Sequence, residues 1–160
     1  LKPLDDIIAK GPFMGAESDR IINGKHPAIA PGLGLAAEAA MPIYGKLIKY
    51  YENTHFMLPN GRMNDTTIVF HTTNLLAGNG LSTDKGIQHV AGIWIYPKEY
   101  FCPKQNDVIT ITENTYTIHH YASSWRNPLY NQIRELTLKI IGVRGKELIG
   151  KILHLLGKKQ

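Results

Sequence analysis

The spacing of hydrophobic positions changes period several times along the chain. In residues 1–9, Pro3 precedes Asp5, Asp6, Ile7 and Ile8, which predicts a short helical turn. Proline suits a first helical position, and acids suit a helix N-terminus. Pro12-Phe13-Met14-Gly15-Ala16-Glu17 is a short apolar run between breakers and predicts a buried strand. Asn23-Gly24 is a hairpin turn signal, pairing Arg20-Ile21-Ile22 with the segment around Ala28-Ile29-Ala30. Ile43, Tyr44, Leu47, Ile48 and Tyr51 recur at helical spacing, so residues 42–53 are predicted as a helix with Lys46 and Lys49 outside. Residues 55–63 form a loop with a Pro59-Asn60-Gly61 turn. Asp65 or Thr66 caps a second predicted helix, whose Ile68, Val69, Leu75 and Leu76 face the core and which Gly78-Asn79-Gly80 stops.

Farther on, residues 90–96 are a β-rich run ended by Pro97, and residues 99–103 a compact aromatic corner. Residues 108–112 alternate as a half-buried strand, Glu113-Asn114 turns, and residues 116–119 return as its partner. After Pro128 the period becomes helical, with breaks at Gly142 and Gly145. Ile133, Leu136 and Ile140, then Leu148, Ile149, Ile152, Leu153 and Leu156, predict two amphipathic helices. Strands alternating with helices predict an α/β domain, and the hairpin over 108–119 predicts a mixed sheet.

Composition narrows this picture. The chain has 160 residues, enough for one domain with a sizeable core, and its 43% hydrophobic and 19% charged residues are those of a globular protein. Cys102 is the single cysteine, which rules out an intrachain disulfide and a cysteine-based structural zinc site and fits a reducing cytoplasmic compartment. No apolar run approaches the roughly 18 residues of a membrane span. Net charge is +5, unevenly placed: residues 1–126 carry 11 basic and 11 acidic side chains, and residues 127–160 carry 7 basic against 2 acidic. The whole excess lies in the tail. A nucleic-acid-binding domain would carry a basic face on its body, so no nucleic-acid partner is expected. Leu1-Lys2-Pro3-Leu4 has neither an initiator methionine nor a signal pattern and reads like the middle of a longer protein.

The densest chemistry is Thr115-Tyr116-Thr117-Ile118-His119-His120-Tyr121-Ala122-Ser123-Ser124-Trp125. Imidazoles bind metal and take up protons, and hydroxyls and an indole N–H donate to anions. If the strand continues that far, alternation puts His119 and His120 on opposite faces, so they do not chelate one metal together. Donors gathered in a loop at a strand end form an anion-binding nest. Trp125 reads equally well as a hydrophobic anchor for the tail. The small residues of Pro31-Gly32-Leu33-Gly34 either pack tightly beneath a helix or admit a ligand, and they lack the spacing of a phosphate-binding glycine fingerprint. His71 reads as a partly buried or solvated helix residue rather than a ligand.

These motifs, in order, carry a resemblance: Phe13-Met14-Gly15-Ala16-Glu17, Pro31-Gly32-Leu33-Gly34, Tyr50-Tyr51-Glu52-Asn53, Asn64-Asp65-Thr66-Thr67-Ile68-Val69, Ile95-Tyr96-Pro97-Lys98-Glu99-Tyr100-Phe101-Cys102-Pro103, and the run from Ile109 through His119-His120 to Trp125. Over residues 1–127 the chain resembles the later part of bacterial family 32 glycosyltransferases, relatives of initiating mannosyltransferases and of capsular-polysaccharide synthesis enzymes. The resemblance implies the C-terminal part of a GT-A, Rossmann-like domain over 1–127, followed by a basic amphipathic helical tail over 128–160. It implies a retaining, metal-dependent transfer of a hexose from a nucleotide-sugar donor to a glycan acceptor, including a lipid-linked one.

The implied roles fall on named residues. His120 would complete the shell of a divalent metal, manganese or magnesium. Ser124 and Trp125 would donate to the leaving diphosphate, with Ser123 or His119 in support. Gly32 and Gly34 would lie near the donor sugar or acceptor, and Asp65 and Thr66 on the acceptor side. The family holds its metal largely with an Asp-x-Asp motif a few residues before a stretch like Leu1 to Asp6, and this chain contains no Asp-x-Asp. The expectation is therefore a chain that begins just after the motif and is inactive alone. The alternative is a non-catalytic glycan- or nucleotide-binding module. The basic tail adds an expected peripheral contact with anionic membrane at its inner face, against the simpler reading of a helical cap.

Overall fold

In the computed structural model, residues 1–22, 26–64, 66–105, 108–120, 136 and 142 are described. The chain divides into two compact units, Leu1–His119 and His120–Gln160. In the second, Leu136 is exposed and Gly142 sits at φ +64°. The expected boundary at 127/128 and the tail helices otherwise fall outside the described residues, as does the Asn23-Gly24 turn.

The first unit is built on β1, Phe13–Ile22. Phe13 and Met14 are both almost fully buried, so this strand is covered on both faces, as its unbroken apolar run requires. β2, His26–Ile29, returns antiparallel on one side as the turn signal predicts, but in another register: Ile21 and Ile22 lie opposite Pro27 and His26, while Ala28 and Ile29 meet Ser18 and Ala16 rather than Arg20-Ile21-Ile22. β3, Leu35–Ala36, pairs the start of β1, also antiparallel. β4, Gln88–Val90, and β5, Ile93–Tyr96, complete the sheet in the order β2-β1-β5-β4. β5 runs parallel to β1, with Met14 opposite Ile95 and Gly15 opposite Tyr96. The expected mixed sheet of an α/β fold is present.

Period-two alternation sends neighbouring side chains to two cores. Met14, Ala16, Ile29, Ile93 and Ile95 pack with Ile43 and Leu76 from the helices. Phe13 and Tyr96 pack on the other face with Ile7, Phe101 and Tyr116. Ile7 comes from α1, Asp5–Ile8, the expected N-terminal turn.

α2, Pro42–Glu52, has proline at its start and buries Ile43 and Leu47. Its apolar face is narrower than the spacing suggested: Ile48 is 61% exposed and Tyr51 42% exposed. α3, Ile68–Ala77, begins at an extended Thr67 with no side-chain cap, so Thr66 does not cap it, and Asp65 lies outside the described residues. It buries Thr72 and Thr73 beside Leu76, whereas Ile68 is 40% exposed. Thr73 is inside because its Oγ1 accepts the backbone N–H of Ile29 on β2 at 2.9 Å.

Two further strand expectations change. The single run 90–96 is two strands, because Ala91 at φ 50° and Gly92 at φ 78° make a two-residue turn between Val90 and Ile93. Positive φ at both central residues is the hairpin geometry that matches strand twist. The 108–112 and 116–119 pair is not formed. β7, Val108–Ile109, pairs instead with β6, Lys104–Gln105, and residues 110–120 form no ladder.

Candidate functional site

Residues 112–117 are held by α4, Lys98–Phe101, a four-residue helix that follows β5 through Pro97. A helix this short satisfies little of its own backbone. One carbonyl is met by the helix's own C-cap residue and the other three from outside. Lys98 O accepts from the N–H of Cys102 at 2.7 Å, and Tyr100 O from those of Tyr116 and Thr117 at 2.8 and 3.2 Å. The Thr115 hydroxyl donates to Glu99 O at 3.0 Å, and the Thr117 hydroxyl to Phe101 O at 3.1 Å. The Asn114 amide adds a bond to the Glu99 carboxylate at 2.8 Å. This is why the alternating pattern yields no strand: its donors are spent on a helix end. Thr115 and Tyr116 are buried as a consequence, despite the absence of a ladder.

The same helix packs its Phe101 ring against two glycines. A Cβ added to Gly15 would come within 2.6 Å of the Phe101 ring, and one added to Gly34 within 2.9 Å. Phe101 also stacks on Phe13 at 5.3 Å. Gly34 thus serves close packing around an aromatic ring. Gly32 is different: it is exposed, and an added Cβ would meet nothing within 4 Å. Phe101 joins Gly15, Gly34 and Thr117 at the carboxyl end of the parallel β1–β5 pair, the end where open α/β sheets bind ligands.

His119 and His120 are both exposed. The expectation that they lie on opposite strand faces is corrected, since there is no strand there to alternate. Ser123, Ser124 and Trp125 lie outside the described residues, as does Asp65; Thr66 is exposed. Among the described residues no group of three His, Cys, Asp or Glu side chains could hold a metal ion. His120 presents an exposed imidazole. His71 is half-buried against Tyr50, with ring centroids 4.0 Å apart, in an aromatic setting that agrees with a packing role.

Some site residues were not legible in the sequence. The Lys2 ammonium lies 4.6 Å from the centre of the Tyr116 ring, a cation–π contact between residues far apart in the chain. Tyr96 and Tyr100 stand beside it, and burial above all raises the pKa of both phenols, with charge on neighbouring groups adding to the shift. The Tyr96 hydroxyl is buried without a hydrogen-bond partner among the described residues. A depression of about 430 Å³, mouth included, also borders the end of β5, lined by Pro27, Thr83, Lys85, Gln88, Tyr96 and Pro97 among others. None of the described residues expected at the site lines it. Its 82–88 wall is stiffened by Gln88, whose side chain accepts from the Ser82 N–H at 2.9 Å and donates to Asp84 O at 2.8 Å.

The fold class is α/β with a mixed, curled sheet. No protein-family model matches the chain, and neither a curated protein nor a solved structure matches it.

Proposed function

We propose that the chain is part of a GT-A glycosyltransferase that moves a hexose from a nucleotide sugar to a surface glycan, with the stretch through His119-His120 and Ser123-Ser124-Trp125 facing the leaving diphosphate. The supporting observation is the clamp of Thr115, Tyr116 and Thr117 on α4. It fixes the backbone up to Thr117, two residues before the exposed His119. Departure of a nucleoside diphosphate builds negative charge, and fixed donors stabilise it without reorganising. The imidazole, hydroxyl and indole groups that the sequence carries over 119–125 are chemically suited to that task, and Lys2 brings positive charge to the neighbouring Tyr116.

The test uses the complete gene product, supplied with manganese and a panel of nucleotide sugars, and reads release of nucleoside diphosphate. Turnover is expected, and Trp125→Phe and Ser124→Ala each should lower kcat by about 10²-fold, the typical loss for one charge-stabilising donor. Donor binding without turnover belongs to the binding-module reading. Full turnover in both variants removes the assigned roles.

A further inference from the structure

The depression at the end of β5 has a cause in strand length. β5 stops at Tyr96, opposite Gly15, while β1 runs on to Ile22 with β2 on its other side. The lining joins Pro27 of β2 to Ile95, Tyr96 and Pro97 and to the loop that carries Thr83 and Lys85. It borders the carboxyl end of a parallel strand, where open α/β sheets bind ligands. At about 430 Å³, mouth included, it has room for a ligand of one ring.

The hydrogen bonds decide which polar groups are left for such a ligand. The Gln88 amide is spent on its own loop. Its Oε1 accepts the Ser82 N–H at 2.9 Å and the Ser82 hydroxyl at 3.0 Å, and its Nε2 donates to Ser82 O at 3.3 Å and Asp84 O at 2.8 Å. Asp84, the one carboxylate in the lining, folds back on the same loop, where its Oδ1 accepts the Gly86 N–H at 3.2 Å. Glu99, the next carboxylate along the chain after Pro97, is taken by the Asn114 amide at 2.8 Å. By contrast, the Lys85 ammonium and the Thr83 hydroxyl, both exposed, have no hydrogen bond or ion pair among the described residues. An uncommitted ammonium and hydroxyl call for an anionic oxygen, and two prolines with Ile95 and Tyr96 call for an apolar body. A loop already fixed by its own bonds loses little freedom on taking up a ligand. We propose that this depression binds a small organic anion, a carboxylate or phosphate carried on one apolar ring, with Lys85 and Thr83 holding the anion. The site is separate from the diphosphate-facing stretch proposed above.

The test is calorimetric titration of the intact chain with phenyl phosphate and with benzoate, which decides between the two anions. The tighter of them should saturate with a Kd on the order of 1 mM. Inorganic phosphate, which lacks the ring, should bind at least about tenfold more weakly, and benzylamine, of opposite charge, should not bind. Lys85→Gln should weaken the tighter anion at least about fivefold, with an unchanged melting temperature because the side chain is exposed. Lys85→Arg should restore binding, and Asp84→Asn, which keeps the Oδ1 acceptor and removes the negative charge, should tighten it. Lys46→Gln on α2 should leave it unchanged. In spectra of the isotope-labelled chain, the amides of residues 83–88 and 95–96 should shift with the titration. The proposal is overturned if neither anion saturates, if Lys85→Gln binds as tightly as wild type, if benzylamine binds as tightly as the anions, or if those amides do not shift.

Discussion

At the residue scale, single hydroxyls decide more than their residue types announce. Thr73 sits on a helix face that reads as mildly polar, yet it is fully buried and accepts the Ile29 N–H. Replacing it with valine keeps the volume and orphans that N–H, so Thr73→Val should cost about 1–3 kcal/mol in denaturant unfolding. Thr73→Ser should restore most of it. Tyr96 is the opposite case. Its hydroxyl is buried without a partner among the described residues, so Tyr96→Phe should raise stability by about 1 kcal/mol rather than lower it. A loss of stability in Tyr96→Phe would mean that the hydroxyl is engaged. Neither role was legible in the sequence, because Thr73 and Ile29 are 44 positions apart and nothing local marks their meeting.

At the element scale, α4 organises both the glycines and the 112–117 stretch. The aromatic corner and the small-residue loop were each visible as patterns, but not the ring of Phe101 lodged against Gly15 and Gly34. Gly34→Ala should cost about 1–3 kcal/mol through overpacking. In a Phe101→Leu background the same change should cost at least about 0.5 kcal/mol less, since contacting residues couple. Equal costs in the two backgrounds would show that the ring and the glycine do not meet. The alternating run 116–119 was legible as β-type sequence and forms no strand, because α4's carbonyls take its backbone and hydroxyl donors first. The helix over 42–52 was legible nearly to the residue, since Pro42 starts it and Ile43 and Leu47 keep its period. Which of its remaining apolar residues are buried depends on where α3 and the sheet end, and Ile48 is left outside.

At the scale of the whole molecule, the sheet separates two cores, and tyrosines carry the cost of alkaline pH. Burial raises the pKa of Tyr44, Tyr51, Tyr96 and Tyr100 above the ordinary 10.0. A phenol with a raised folded-state pKa loses its proton more readily when unfolded. Its contribution to stability is complete below pH 10 and is lost as pH climbs from there through the folded-state value. Unfolding midpoints should therefore stay level up to about pH 10 and fall above it, and Tyr96→Phe should flatten that fall. A midpoint that rises above pH 10 would contradict the sign. The sequence by itself determined the α/β class, the presence of the first hairpin though not its register, the period of α2 and the lopsided charge, because these follow from local periodicity, turn residues and residue counts. The tertiary structure alone decided that β5 lies parallel to β1, that Phe101 fills the space left by two glycines, and that residues 112–117 cap a helix instead of joining a sheet. Those outcomes depend on which distant backbone groups and cavities are left to be satisfied once the chain has collapsed, and no local period encodes that.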